Sequence, residues 1–121
     1  MWLSPMDQVD EIRSMWDAWK TQPFPSEYSG KDIAGICVTS LDSFASGCID
    51  TFIFRRGRLD EQRISVLEKC KDDLEVVVNS LNGSAHTYFH NLLLLSMRVL
   101  QLVGRLRASS PHNNGLQRTR R

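Results

Sequence analysis

The chain has 121 residues, of which 41% are hydrophobic and 24% charged, and its net charge is +1. This length fits one domain with its own core, and the composition is that of a soluble globular protein rather than of a disordered chain. Residues 104–121 hold five arginines and no acidic residue, so the preceding part carries more acidic than basic side chains. A mildly acidic folded part therefore precedes a basic tail.

The first predicted helix runs from Pro5 to Lys20. Ser4 suits the N-cap and Pro5 the first helical position. Apolar residues then recur at positions 9, 12, 16 and 19, which places them on one face of the helix. Residues 21–29 are predicted to form a loop, because Pro23 and Pro25 exclude helix there.

A second helix is predicted from Gly30 to Arg56, with Gly57 as its stop. Its inward stripe would consist of Ile33, Cys37, Leu41, Phe44, Cys48 and Phe52. Two interior glycines, Gly35 and Gly47, would each cost about 1 kcal/mol relative to alanine. We therefore expect close approach of a neighbouring backbone, although this cost also leaves room for a strand or a break.

The third helix is predicted from Asp60 to Leu81 and the fourth from Ala85 to Arg107, on either side of the turn Asn82-Gly83-Ser84. Both carry apolar stripes at alternating spacings of three and four: Leu67, Cys70, Leu74, Val77 and Leu81, then Tyr88, Leu92, Leu95, Val99, Leu102 and Leu106. Such stripes pack together when a short turn brings two helices antiparallel. The predicted fold is an all-α antiparallel four-helix bundle over residues 1–107, followed by a disordered basic tail at 108–121.

Several features indicate a soluble cytoplasmic protein without a signal peptide. The most hydrophobic segment, residues 92–103, is shorter than the roughly 20 apolar residues of a membrane span and contains Arg98. Cys37, Cys48 and Cys70 lack CxxC spacing and are expected to be buried free thiols, although a disulfide between two of them stays open. No cofactor is predicted.

One histidine pair has the spacing of metal ligands. His86 and His90 lie four residues apart on a helix, where both rings face the same side, and Glu75 on the preceding helix would be in register to supply a third ligand. The competing interpretation is that both histidines lie at the edge of the core and bind nothing. A metal or small-ligand site between the last two helices is therefore the alternative function.

Other chemical patterns favour simpler interpretations. Asp42 and Asp50 are two helical turns apart but have no further catalytic group beside them, so a solvated face is expected. The cysteines lie in apolar patterns, which argues against a catalytic thiol. Nucleic-acid binding by the basic tail is disfavoured, because aromatic residues are absent from it and the folded part is net negative.

The leading functional hypothesis is a non-enzymatic protein that acts by binding another protein, as an adaptor, a regulatory subunit or an inhibitor of the immunity type. The fourth helix carries more apolar surface than one small core consumes. The predicted contacts are Leu93, Leu94, Met97 and Leu100, with Trp16 and Trp19 as anchors, since tryptophan is enriched at binding hot spots. The partner could be a second copy of the chain, because a symmetric pair would bury the surplus.

Overall fold

The computed structural model describes residues 4–108 and contains four α-helices: α1 (Pro5–Trp19), α2 (Val38–Phe54), α3 (Glu61–Asn79) and α4 (Gly83–Ala108). Short connections reverse the chain between α2, α3 and α4. Side-chain contacts join Glu11 to Arg98 and Gln8 to Arg105, so α1 runs antiparallel to α4. The predicted all-α antiparallel bundle is confirmed, whereas the predicted disordered tail lies outside the described residues beyond Ala108.

The helix ends follow the capping signals of the sequence. The hydroxyl of Ser4 accepts a hydrogen bond of 3.1 Å from the backbone N–H of Asp7 at the start of α1. Asp60 caps α3, where its carboxylate accepts from the backbone N–H of Arg63 at 3.3 Å. Each cap satisfies a backbone donor that the helix itself leaves unpaired.

The segment before α2 differs from the prediction. Asp32–Ile33 (β1) and Ile36–Cys37 (β2) pair as an antiparallel hairpin, and α2 begins only at Val38 rather than at Gly30. Ala34 and Gly35 connect the strands with φ values of 52° and 81°. Positive φ at both central residues is the geometry of a tight hairpin turn, and it is incompatible with a right-handed helix. Gly35 therefore belongs to a turn and not to a helix interior.

The core is formed by the predicted stripes of α3 and α4 and by a shifted stripe of α2. All five stripe residues of α3 are buried, and so are all those of α4 except the half-buried Leu106. The buried residues of α2 are Val38, Leu41, Ala45, Cys48, Ile49, Phe52 and Ile53. Phe44 and Cys37, which the sequence pattern placed inward, are exposed. Cys37 is exposed because it belongs to β2 and not to the helix, and Phe44 is exposed because α2 turns a face centred on Ala45 toward the core.

Gly57 closes the connection between α2 and α3. Its φ is +102°, and a Cβ atom at this position would lie 3.0 Å from the Cγ2 atom of Val9. The chain therefore needs glycine here both for the left-handed backbone and for the close approach to α1. Over the described range, none of the helices has the length and apolar character that crossing a membrane requires.

Candidate interaction surface

The two tryptophans of α1 belong to the core of the bundle. Trp16 and Trp19 are each 6% exposed, and their ring centroids lie 5.5 Å apart. The indole N–H of Trp19 donates a hydrogen bond of 3.1 Å to the carbonyl oxygen of Tyr88 on α4. The predicted role of these tryptophans as surface anchors is corrected, because their rings are already enclosed by other aromatic side chains of the same chain.

The apolar residues of α4 are divided between the core and the surface. Leu93 is buried and Leu100 half-buried, whereas Leu94 and Met97 are each 39% exposed. Helix α4 packs against α1, α2 and α3, so the chain itself covers most of its apolar circumference. Only Leu94 and Met97 of the predicted contacts remain open to a partner, three residues apart on one face.

The histidine pair is intact, but no third ligand lies beside it within the part of the chain that the structure describes. The rings of His86 and His90 stack with centroids 5.6 Å apart and an angle of 10° between their planes. Glu75 is exposed and lies 3.8 Å from the ammonium of Lys71. Within residues 4–108, no group of three His, Cys, Asp or Glu side chains is arranged to hold a metal ion. The structure therefore does not assemble the ligand set that the spacing predicted.

Asp42 has a specific partner, unlike the solvated residue expected from the sequence. Its Oδ1 accepts a hydrogen bond of 2.8 Å from the hydroxyl of Tyr88. Partial burial raises the pKa of Asp42, and the hydrogen bond opposes this shift. Burial and the carboxylate both raise the pKa of Tyr88. Asp50 is exposed, as expected from the sequence, so the two carboxylates lie in different environments.

The three cysteines are free, and they occupy two different environments. Cys48 and Cys70 are buried, and burial raises the pKa of Cys70 to about 11. Cys37 is exposed at the N-cap of α2, where hydrogen bonding to Ser40 lowers the pKa of its thiol. The expectation of burial is thus correct for two of the thiols and wrong for Cys37, because this residue ends a hairpin strand.

Two adjacent clefts lie between α2 and α3. The larger has a volume of about 690 Å³ and reaches from the hairpin to the middle of both helices, and the smaller, of about 450 Å³, continues toward the α2–α3 connection. Phe44 and Val66 line both clefts and are 60% and 37% exposed. We call this surface the α2–α3 face. Its lining residues extend along α2 from Cys37 to Thr51, which corresponds to roughly 21 Å of helix at about 1.5 Å per residue.

The charges of the α2–α3 face lie toward its two ends. Lys69 and Asp73 pair at 3.5 Å beside the larger cleft, and Arg63 and Asp60 pair at 2.9 Å toward the other end. The apolar Phe44 and Val66 lie between these two ion pairs. An apolar centre with a polar margin is the usual composition of a protein–protein interface.

The sequence pattern did not identify this face. It placed Phe44 in the inward stripe, because a helix from Gly30 makes positions 33, 37, 41 and 44 one face. In the structure the buried face of α2 is centred on Ala45, and Phe44 lies about 100° around the helix from it. The apolar spacing of α2 carries no signal for this rotation, because contacts with the other helices set it.

Comparison of the chain with models of protein families, with curated proteins and with solved structures finds no match. Its function must therefore be inferred from the geometry of its own surface.

Proposed function

We propose that this protein acts without catalysis, by binding another protein through the α2–α3 face. The observation that carries the proposal is the 60% exposed Phe44 beside a cleft of about 690 Å³. Removing an exposed phenylalanine from water contributes about 1.5–3 kcal/mol to association. Roles as an adaptor, a regulatory subunit or an inhibitor all use a surface of this kind. Free thiols are typical of a reducing compartment, which supports a cytoplasmic location as part of the proposal.

The α2–α3 face is preferred to the α4 patch of Leu94 and Met97. The cleft beside Leu94 has a volume of about 200 Å³, less than a third of the larger cleft between α2 and α3. Leu94 and Met97 are also each less exposed than Phe44. The α4 patch therefore serves as the matched comparison in the experiment.

The test is affinity capture from a lysate of cells that express the gene, using the full chain as bait. Three baits are compared by quantitative mass spectrometry: the wild type, Phe44→Glu and Leu94→Glu. We expect that some proteins are retained by the wild type and by Leu94→Glu but are lost with Phe44→Glu. Loss with Leu94→Glu alone would move the contact to α4, and equal recovery by all three baits would overturn the proposal. Circular dichroism of each bait verifies that it is folded.

A further inference from the structure

We propose that the partner of the α2–α3 face is the same face of a second copy of this chain, with the two α2 helices antiparallel. This proposal rests on the interaction function proposed above and names its partner. In the arrangement that we infer, a two-fold axis lies in the plane of the contact, perpendicular to α2, at the level between Ala45 and Ser46. Residue i of one copy then lies opposite residue 91 − i of the other, so Phe44 lies over Gly47 of the second copy.

Within residues 4–108, no contact explains why residue 47 is a glycine. It is exposed in the middle of α2, its φ is not positive, and a Cβ atom there would meet nothing within 4 Å. The close backbone approach that would explain a glycine in a helix interior is therefore absent around Gly47. The missing side chain leaves an open site on the α2–α3 face, beside the smaller cleft.

Phe44 has the shape that this open site accepts. It lies three residues before Gly47, so both residues are on the same side of α2. Because a two-fold contact occurs twice, each phenylalanine ring of the pair would cover the glycine of the other copy. The same axis places Ser40 opposite Thr51 of the second copy, two small side chains that permit the helices to approach closely.

The charges of α3 agree with the same axis. The thiol of Cys48 lies 3.6 Å from the carbonyl oxygen of Arg63, which fixes the register of α3 beside α2. An axis at the level of residues 45 and 46 of α2 therefore passes α3 at the level of residue 65. Asp60 of each copy then lies close to Lys69 of the other copy. The Lys69 side chain is 78% exposed and available for this contact. The face is thus complementary to itself in charge as well as in shape.

The test is sedimentation velocity of the full chain over a series from low to high micromolar concentration. We expect a reversible dimer in the wild type. Gly47→Leu fills the open site and Phe44→Ala removes the ring, and each should raise the dissociation constant by about tenfold or more. The control is Gly104→Leu. Gly104 is an exposed glycine of α4, and a Cβ atom at this position would also meet nothing within 4 Å. If Gly47→Leu does not fold, Phe44→Ala decides, because its side chain is exposed.

Each outcome has a defined meaning. A wild type that stays monomeric overturns the proposal, and so does a dimer that Gly47→Leu and Phe44→Ala leave unchanged or that Gly104→Leu weakens equally. A monomer whose capture of a cellular protein depends on Phe44 would exclude the second copy as partner while retaining the proposed interaction function. Failure of both experiments would overturn both proposals. Weakening of the dimer by Lys69→Glu would support the charge pairing.

Discussion

The hydroxyl of Tyr88 on α4 donates a 2.8 Å hydrogen bond to the carboxylate of Asp42 on α2. The ring of the same tyrosine lies 4.9 Å from Trp19 and 5.8 Å from Phe24, measured between centroids. Tyr88 therefore connects the aromatic core between α1 and α4 to a half-buried acid on α2. Buried tyrosines commonly combine apolar packing with one polar partner in this way.

Asp42 makes the stability of the fold depend on pH with a definite sign. Burial raises the pKa of Asp42 above its ordinary value of 3.8, although the Tyr88 hydrogen bond opposes this. The folded chain then binds the proton more tightly than the unfolded chain does. The contribution of Asp42 is most favourable below pH 3.8, and it declines as the pH rises to the folded-state pKa.

Asp42→Asn tests this dependence because asparagine does not titrate. We expect the free energy of unfolding of the wild type minus that of Asp42→Asn to fall across this pH window and to be constant above it. Urea unfolding at a series of pH values gives the difference, in which the contributions of the other carboxyl groups cancel. A difference that rises with pH would contradict the prediction.

The three thiols should react at different rates in the folded protein. Cys37 is exposed and its pKa is lowered, whereas Cys48 and Cys70 are buried and burial raises their pKa values. Because the thiolate is the reactive form, one equivalent of a thiol reagent should be consumed rapidly at a concentration where the chain is monomeric, and the other two only on unfolding. Cys37→Ser should remove the rapid equivalent. Rapid modification of two or three thiols in the native protein would show that the α2–α3 packing is wrong.

Two glycines should respond oppositely to alanine. In Gly57→Ala, the alanine must adopt a positive φ, and its Cβ atom lies too close to the Val9 side chain. We therefore expect a loss of about 1–2 kcal/mol or more in the free energy of unfolding. Gly47→Ala adds a methyl group to open space in a helix interior and should stabilise the monomer by about 1 kcal/mol. Thermal and urea unfolding at a concentration where the chain is monomeric measure both effects. Equal signs for the two variants would contradict the assigned backbone geometry.

Trp19 should matter for stability rather than for binding. Trp19→Phe removes the indole hydrogen bond to Tyr88 and leaves a cavity between α1 and α4, so we expect a loss of about 2–3 kcal/mol. The exposed Leu94 provides the comparison, since Leu94→Ala should cost about 0.5 kcal/mol or less. Urea unfolding of both variants checks the difference. An unchanged stability in Trp19→Phe would contradict the placement of this ring in the core.

The sequence was most informative where one element carries one uninterrupted pattern. The α3 stripe from Leu67 to Leu81 alternates spacings of three and four without a break, and each of its five residues is buried. Ser4 identified the start of α1, because a cap acts within a single turn. The third helix was predicted from Asp60, which the structure shows to be the N-cap of α3. The stripe and the caps depend on residues that are close in the sequence, so the sequence pattern alone predicts them.

The candidate site was less accessible to this reasoning. The exposure of Phe44 depends on how α2 is rotated against the other helices, and the spacing of its apolar residues does not fix that rotation. The prediction for α4 recognised an apolar excess at Leu93, Leu94, Met97 and Leu100. It could not show that α4 contacts all three other helices, which covers most of that excess.

The sequence by itself determined that four amphipathic helices form and that their stripes pack together, because helical periodicity and capping are properties of neighbouring residues. Only the tertiary structure decided which apolar side chains remain outside. Trp19 packs against Tyr88, a residue 69 positions away, and Trp16 packs against Trp19, whereas Phe44 is 60% exposed. Burial depends on contacts between distant segments, and the spacing of residues along one helix does not contain that information.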